Sequence, residues 1–487
     1  MDLATQAREL VRNLNNRLSA SAYDVSWLAR LPAENGDSRW PDLIDWLVAN
    51  QWPDGSWGGT IPYYHDRILC TLAAMIALQE KAGGKDAAEA VRRGERYIWH
   101  NYPFLHHDPM ELVGFELILP TLLEQARTLG LDVPRHSCGY GRIRDAKLAL
   151  MPMELLYKPG TSAAFSIEFL GSSGDPTRLY QFQGANGASA NSPATTAYTV
   201  IQSGNHNSKA LHYLEQVKRL PGGVPAFYPF RTFEIVWVLE HLAFGGFMLH
   251  DLVDAEVWNR LRSVLGRTGT GIDPLFGIND GDTTAVTLHV LARGKQPVDP
   301  SILHHFEEPG THTFRTFDFE RNASVVTNIH ALEALMWMPE YPNLGQVWES
   351  VLSMLLEHQL YQTYWIDKWH ASPYYATAHI LIVLMNVGEY EMVRYSHAID
   401  WLVHTQRRDG SWGYFDRGTV EETAYALMAL LHYQRHTHTL CVDVLHKGMA
   451  YLMSAVASGV AFPELWIAKC QHRFEVSPNH RDRMSPE

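Results

Sequence analysis

The sequence predicts an all-α chain built from repeated helical hairpins. Three observations carry that expectation. Apolar residues recur at three- and four-residue spacing through LILPTLLEQARTLGL (117–131), FEIVWVLEHLAFGGFML (233–249), SVVTNIHALEALMWM (324–338) and EETAYALMALLHYQ (421–434), the period of an amphipathic helix. No regular series of alternating strands interrupts them. Gly, Pro, Asn and Asp gather between these segments, as short helix–helix connections require. Hairpins stacked in series form solenoids or close into α/α-barrels.

A short motif recurs and supports the repeat. Gln51 to Gly58 reads QWPDGSWG, Gln406 to Gly413 reads QRRDGSWG, and a degraded copy, QGANGASA, begins at Gln183. Asp-Gly makes a tight turn in which Gly takes positive φ. Gln can bond backbone ends and lie against the indole. Such copies read as structural staples between helices.

The bulk numbers bound the function. A chain of 487 residues is too long for one core, so two domains are expected. The net charge of −13 argues against nucleic acid as a main partner. Cys70, Cys138, Cys441 and Cys470 are scattered with no CxxC, which argues against structural zinc or a disulfide framework and fits a reducing cytoplasm. The N-terminal MDLATQARELVRNLNNRL is charged and is not read as a signal peptide. No apolar run approaches ~20 residues, so no membrane-spanning helix is expected. The chain has 15 Trp and 22 Tyr. Most should pack the core, and some could line a pocket for a greasy or cationic species.

The stretch with the clearest chemistry is FGINDGDTTAVTL, residues 276–288. Asp280 and Asp282 lie two apart in a Gly-containing turn before an apolar run. Either could simply cap a helix, with Thr283 or Thr284 in its first turn. The alternative is an acid that protonates carbon. An alkene is a very poor base, so such an acid must be protonated at rest and its anion stabilised as the proton leaves. A neighbouring carboxylate such as Asp280 favours the neutral acid, and hydroxyls or amides support the anion.

This segment resembles the DxDD acid motif, followed by Thr-Ala, of the class II terpene cyclases, the family of the copalyl diphosphate synthases and squalene–hopene cyclase. Here it reads Asp280-Gly281-Asp282-Thr283-Thr284-Ala285. Other blocks follow in the family's order: SAYDVSWLARLP from Ser21, GFELILP from Gly114, RDAKLALMP from Arg144, SIEFL from Ser166 and NSPATTA from Asn191. PGGVPAFYP from Pro221, FEIVWVL from Phe233, DKWHASPYYATAH from Asp367 and PELWIAK from Pro463 complete the series. The resemblance implies two α/α-barrels of the βγ arrangement. Residues 1–34 and 176–487 would form the β-type barrel, with 35–175 inserted as the γ-type domain. The active site is expected in the cleft between them.

The resemblance also implies roles. Asp282, the middle Asp of the motif, is the proton donor, supported by Asp280 and Thr283. Asn328, in TNIHAL, stands where the family has an amide bonded to the acid. Lys147 and Lys368 match the lysines that hold the diphosphate, and Mg²⁺ would shield it. Trp237, Trp369 and Tyr374 are candidates to face the carbocation. Phe165 and Ala226 stand where plant enzymes carry the His and Asn that organise the terminating water, so no terminating base is named. The DxDTT variant is similar to bacterial drimenyl diphosphate synthases, which implies farnesyl diphosphate as substrate. Geranylgeranyl diphosphate giving a labdane- or clerodane-type diphosphate is the alternative.

The chain has no Asp-Asp dipeptide, hence no DDxxD metal motif for ionising the diphosphate, and the product is expected to keep that group. Two readings from other classes remain open. A protein prenyltransferase β-subunit also builds an α/α-barrel and would carry one zinc. A non-catalytic helical scaffold would tolerate loss of Asp282.

Overall fold

A computed structural model of the chain describes residues 2–204, 207–387, 392–438, 442–459 and 462–475. Cys441 lies outside these residues. The all-helical expectation holds: the only strands among the described residues are the two-residue pair Trp466–Ile467 and Gln471–His472.

By contacts the chain divides into two compact units. One comprises Met1–Asn13, Arg231–Pro274 and Asn279–Pro463; the other comprises Leu14–Phe230, Leu275–Ile278 and Glu464–Glu487. These boundaries fall elsewhere than 34/35 and 175/176. The helix Ala22–Ala29 packs on both Tyr64–Lys81 and Pro193–Gln202, so all three share one unit. The first thirteen residues join the other unit, where Arg8 donates to the Asp251 carbonyl and Arg12 pairs with Asp254 at 3.0 Å.

In the second unit, Ser21 caps Ala22–Ala29 by accepting from the Asp24 amide, and Ser192 caps Pro193–Gln202 by accepting from Thr195. Both caps satisfy donors that have no partner within their own helix. The C-terminal segment is tied in by Lys469. Its ammonium, fully buried, donates to Glu168 at 2.7 Å, Ser192 at 2.6 Å and Thr195 at 3.3 Å. Tyr23 donates to the same Glu168 at 3.0 Å. Every donor of the buried amine thus has an acceptor, the condition under which a buried ion pair is tolerated.

The repeated motif forms the same staple in each unit. Trp57 Nε1 donates to the Leu47 carbonyl at 2.7 Å, and Trp412 Nε1 to Leu402 at 2.7 Å. Gln51 reaches Gly55 and Ala90, and Gln406 reaches Gly410 and Val444. The backbone amides of Trp57 and Trp412 meet the hydroxyls of Thr71 and Thr423. Gly55 and Gly410 have φ of 95° and 90°, and a Cβ on either would collide with the carbonyl of Arg93 or Lys447. Only glycine suits both demands. The degraded copy keeps the Gln183–Gly187 bond, 3.0 Å, and the Ser189 amide to Thr196 bond, 2.9 Å. A further copy was not legible: Trp365 donates its indole N–H to Leu355 at 2.6 Å and its backbone N–H to the Thr377 hydroxyl at 3.0 Å, with Gln359 six residues before it as in the other copies but no Asp-Gly between.

In the first unit, the helix Gly281–Arg293 packs on Val325–Leu335 and on Arg231–Phe244, and Val325–Leu335 packs on Pro373–Asn386. Every residue of Val325–Leu335 is buried. A helix enclosed on all sides should be wholly apolar. This one carries His330 and Glu333, and those two residues lead to the site.

Candidate active site

The helix Gly281–Arg293 begins with Asp280 as its cap. Asp280 accepts from the Thr283 amide at 2.6 Å, and its other oxygen has no hydrogen bond. The capping reading therefore holds for Asp280. Burial is the main cause that pushes its carboxyl up to about 8, against the Thr283 amide and with the charge of Asp282. Asp282 sits in the first turn and points to the neighbouring helix. Its Oδ1 lies 2.8 Å from His330 Nδ1. Asp282 is 7% exposed and His330 is fully buried.

His330 is the centre of a buried polar line. Its Nε2 is 3.1 Å from His379 Nδ1, on Pro373–Asn386, and 3.8 Å from Glu240 Oε2, on Arg231–Phe244. Burial alone would lower the His330 pKa. The carboxylates of Glu240, Asp282 and Glu333 outweigh it and raise it to about 9. His379 is held well below its usual value by burial and by the neighbouring histidines. Burial raises Glu240 to about 8, against the pull of His330 and with the push of Glu333. Trp237 stands perpendicular to the His330 ring, centroids 5.7 Å apart, and donates to the Tyr375 hydroxyl at 3.1 Å.

Deeper along the same helices, His289 Nδ1 lies 3.1 Å from Glu333 Oε2, an ion-pair distance without hydrogen-bond alignment. Oxygen and nitrogen atoms of Glu240, His330 and His379 lie within 4.8 Å of one another, as do those of Glu240, His289 and Glu333. His330 has both ring nitrogens engaged by Asp282 and His379, whereas both nitrogens of His289 and both oxygens of Glu333 make no hydrogen bond.

The structure corrects two expected roles. Asn328 does not bond Asp282. Its amide is spent on both backbone groups of Phe314, each at 2.8 Å, and on the Ser324 carbonyl. His330, two residues on, takes that place. Tyr374 does not face the acid: its ring stacks on Trp401 at 4.7 Å. Tyr375 faces it instead. Trp237 lies edge-on to His330, beside Asp282. Trp369 packs edge-on to Phe317 at 5.9 Å, beneath the Lys368 ammonium at 5.1 Å. Lys368 donates to Glu320 at 2.5 Å and to the Asn322 carbonyl at 2.8 Å. Lys147 pairs with Glu116 at 2.5 Å in the other unit. Thr283 serves the cap through its amide. Phe165 lies against the Lys469 ammonium at 4.8 Å, and Ala226 is fully buried.

His330, His379, Glu240, His289 and Glu333 were not legible as a site. The available signal was polar residues inside helices that are buried all round. These groups make stability depend on pH. Folded-state values raised to about 8 for Asp280 and Glu240 and about 9 for His330 mean that the folded chain keeps protons that the unfolded chain has lost. Their contribution is present at low pH and disappears as pH rises through those values. His379 and His241, lowered by burial, act in the opposite direction, but only up to the unfolded value near 6.5. The melting temperature is therefore expected to fall steadily from about pH 6.5 to about pH 9. Calorimetry across that range checks it, and a flat profile would refute it.

Comparisons with known proteins bear on the family and the fold. The profile of the Squalene-hopene cyclase C-terminal domain matches residues 321–468. The Type B diterpene cyclase of Mycobacterium tuberculosis is 35% identical over 486 residues, covering 94% of this chain and 93% of the relative. The solved ent-copalyl diphosphate synthase of Streptomyces platensis superposes with a TM-score of 0.77 at 25% identity, covering 96% and 95% of the two chains. The ent-copalyl diphosphate synthase of Arabidopsis thaliana, solved with (S)-15-aza-14,15-dihydrogeranylgeranyl thiolodiphosphate, gives 0.68 at 26% identity, covering 82% of this chain and 58% of that one. These matches support the α/α-barrel architecture and rank above the prenyltransferase and scaffold readings. With a relative 35% identical along nearly its whole length, the chain belongs to the class II terpene cyclases.

Proposed function

We propose that this cyclase closes geranylgeranyl diphosphate into a bicyclic diphosphate, with Asp282 as the acid. The observation that carries the reading is the Asp282–His330 contact, 2.8 Å, in a buried setting. One carboxyl oxygen receives the ring N–H, and the other is left to carry the transferred proton. The proton adds to the terminal alkene, whose π pair forms the new C–H bond and leaves a tertiary cation. The next alkene attacks that cation, and a second closure follows. Loss of a proton ends the reaction, and the C–O bond to the diphosphate is never broken. As the proton leaves, the imidazolium stabilises the new carboxylate. Trp237 and Tyr375 offer aromatic faces near the acid, each worth roughly 0.5–2 kcal/mol to a cation.

The C20 substrate is preferred over farnesyl diphosphate. The DxDTT variant pointed to the shorter chain, but Thr283 acts through its amide on the Asp280 cap, which has no bearing on chain length. The whole-length relative is named a diterpene cyclase, and the Arabidopsis enzyme was solved with a geranylgeranyl-type analogue. Lys368 keeps its proposed part in binding the diphosphate, which would take the place of Glu320 as its partner. Mg²⁺ would arrive as the counter-ion of the substrate. Both oxygens of Glu320 are engaged, by the Thr316 and Phe317 amides and Lys368, so the carboxylate beside Lys368 offers no dedicated ligand and the ion would rely on phosphate and water oxygens. Among the described residues no helix is long and apolar enough to cross a membrane.

The test is product analysis with Mg²⁺ and each prenyl diphosphate, followed by phosphatase. A cyclic C20 alcohol is expected from geranylgeranyl diphosphate. A cyclic C15 alcohol made faster from farnesyl diphosphate would restore the drimenyl reading. Linear alcohols from both would remove the function.

A further inference from the structure

We propose that Glu240 is the counter-anion of the acid: as a carboxylate beyond the His330 ring, it lets Asp282 carry its proton while His330 remains an imidazolium. This rests on the assignment of Asp282 as proton donor.

An acid that protonates carbon must satisfy two demands at once. It must hold its proton until the alkene is in place, and its anion must be stabilised the moment the proton leaves. If His330 were neutral, its lone pair would compete with the alkene for that proton. If His330 were protonated and Asp282 ionised, the pair would have no proton to give. The working form therefore has an imidazolium donating to one oxygen of Asp282 while the other oxygen keeps the proton. That form places an uncompensated cation in a fully buried site, which is costly unless an anion lies close.

Only one carboxylate fits the position. Facing His330 are Asp282 from Gly281–Arg293, Glu240 and His241 from Arg231–Phe244, Glu333 from its own helix, and His379 and Tyr375 from Pro373–Asn386. The buried residues of Leu344–Glu357, which also packs on this helix, are apolar. Glu333 pairs with His289 at 3.1 Å, and both also face Glu240. Glu240 is fully buried, neither of its oxygens makes a hydrogen bond, and Oε2 stands 3.8 Å from His330 Nε2. That distance is too long for a hydrogen bond and right for an ion pair. The Nε2 proton is free to go to His379, 3.1 Å away.

The charges balance. Ionised Glu240, protonated His330 and neutral Asp282 sum to zero. After proton transfer the trio carries one negative charge, which faces the one positive charge of the substrate cation. The same two protons can instead sit on Glu240 and His330, leaving Asp282 ionised and idle. The two carboxyls thus compete for one proton across the ring, and the burial that pushes Glu240 upward sets how often Asp282 wins it.

Glu240→Gln removes the competing charge while keeping the shape. The ring and Asp282 then hold one proton between them at neutral pH, as an ion pair with no acid. The active form needs an extra proton and appears only in acid. With geranylgeranyl diphosphate, the rate at about pH 7.5 should fall at least about tenfold, and the alkaline limb of the pH–rate profile should move at least about one unit lower. Glu240→Asp keeps the charge and should keep the limb near its wild-type position. A purely structural role would lower the rate equally at every pH, so an unmoved limb in Glu240→Gln overturns the proposal. Should that variant not fold, ¹⁵N-histidine NMR of the wild-type enzyme decides. The signal lost in His330→Phe should be an imidazolium at about pH 7.5, and a neutral ring there overturns it. Asp282→Asn run in parallel separates the two failures. An active Asp282→Asn enzyme sinks the acid assignment itself, whereas an inactive one beside an unmoved Glu240→Gln limb sinks only the counter-anion.

Discussion

Asp282→Asn should abolish cyclisation while leaving the fold intact. The amide has the shape of the carboxyl and can still accept the His330 N–H through its oxygen, so the 2.8 Å contact survives. What is lost is the transferable proton. General-acid steps contribute roughly 10²–10⁴-fold. A neutral amide cannot protonate an alkene, so the loss should reach the upper end, about 10³-fold or more. Product formation from geranylgeranyl diphosphate measures it, with a thermal melt beside it to show that the chain remains folded. If the Asn enzyme retained more than about a tenth of the rate, a second acid would have to exist. Asp280, with its unbonded oxygen, would be the first candidate.

The largest effect on stability is expected at Lys469, far in sequence from anything that reacts. Lys469→Met fills similar space but removes the cation that holds Glu168, Ser192 and Thr195. Glu168 would then be a buried carboxylate with only hydroxyl partners, Tyr23 at 3.0 Å and Thr195 at 2.6 Å. Breaking one side of a buried pair costs about 3–5 kcal/mol. Urea unfolding should register that loss. The double variant Lys469→Met, Glu168→Gln should recover part of it, because no stranded charge remains. A single variant as stable as the wild type would mean that Glu168 is already neutral.

The sequence carried the architecture and the buried place of Asp282, and failed where helical register decided the outcome. Helical periodicity and the repeated Asp-Gly-Ser-Trp copies identified the hairpins. The two carboxylates of the motif separated into a helix cap, Asp280, and a side chain that meets His330, Asp282, once the helix start was known. Asn328 and His330 are two residues apart, about 200° around a helix, so a small error of alignment selects the opposite face. Tyr374 and Tyr375 present the same difficulty at about 100°. Lys469 was visible only as part of a block of resemblance, because a lysine near a chain end reads as solvated. The staple at Trp365 keeps Gln359 at the motif's spacing but has lost the Asp-Gly, so the pattern was not recognised, although its indole and amide bonds to Leu355 and Thr377 are the same as in the other copies.

Those indole bonds span short stretches of chain. Trp57 reaches back to Leu47, Trp365 to Leu355 and Trp412 to Leu402. Closing so short a loop is entropically cheap and fast. Each staple can therefore form as soon as its own hairpin has been synthesised, before its distant neighbours exist. Order of appearance from the ribosome and order of assembly can then coincide hairpin by hairpin. In amide exchange, the segments around Trp57, Trp365 and Trp412 should open as separate local units rather than with the chain as a whole.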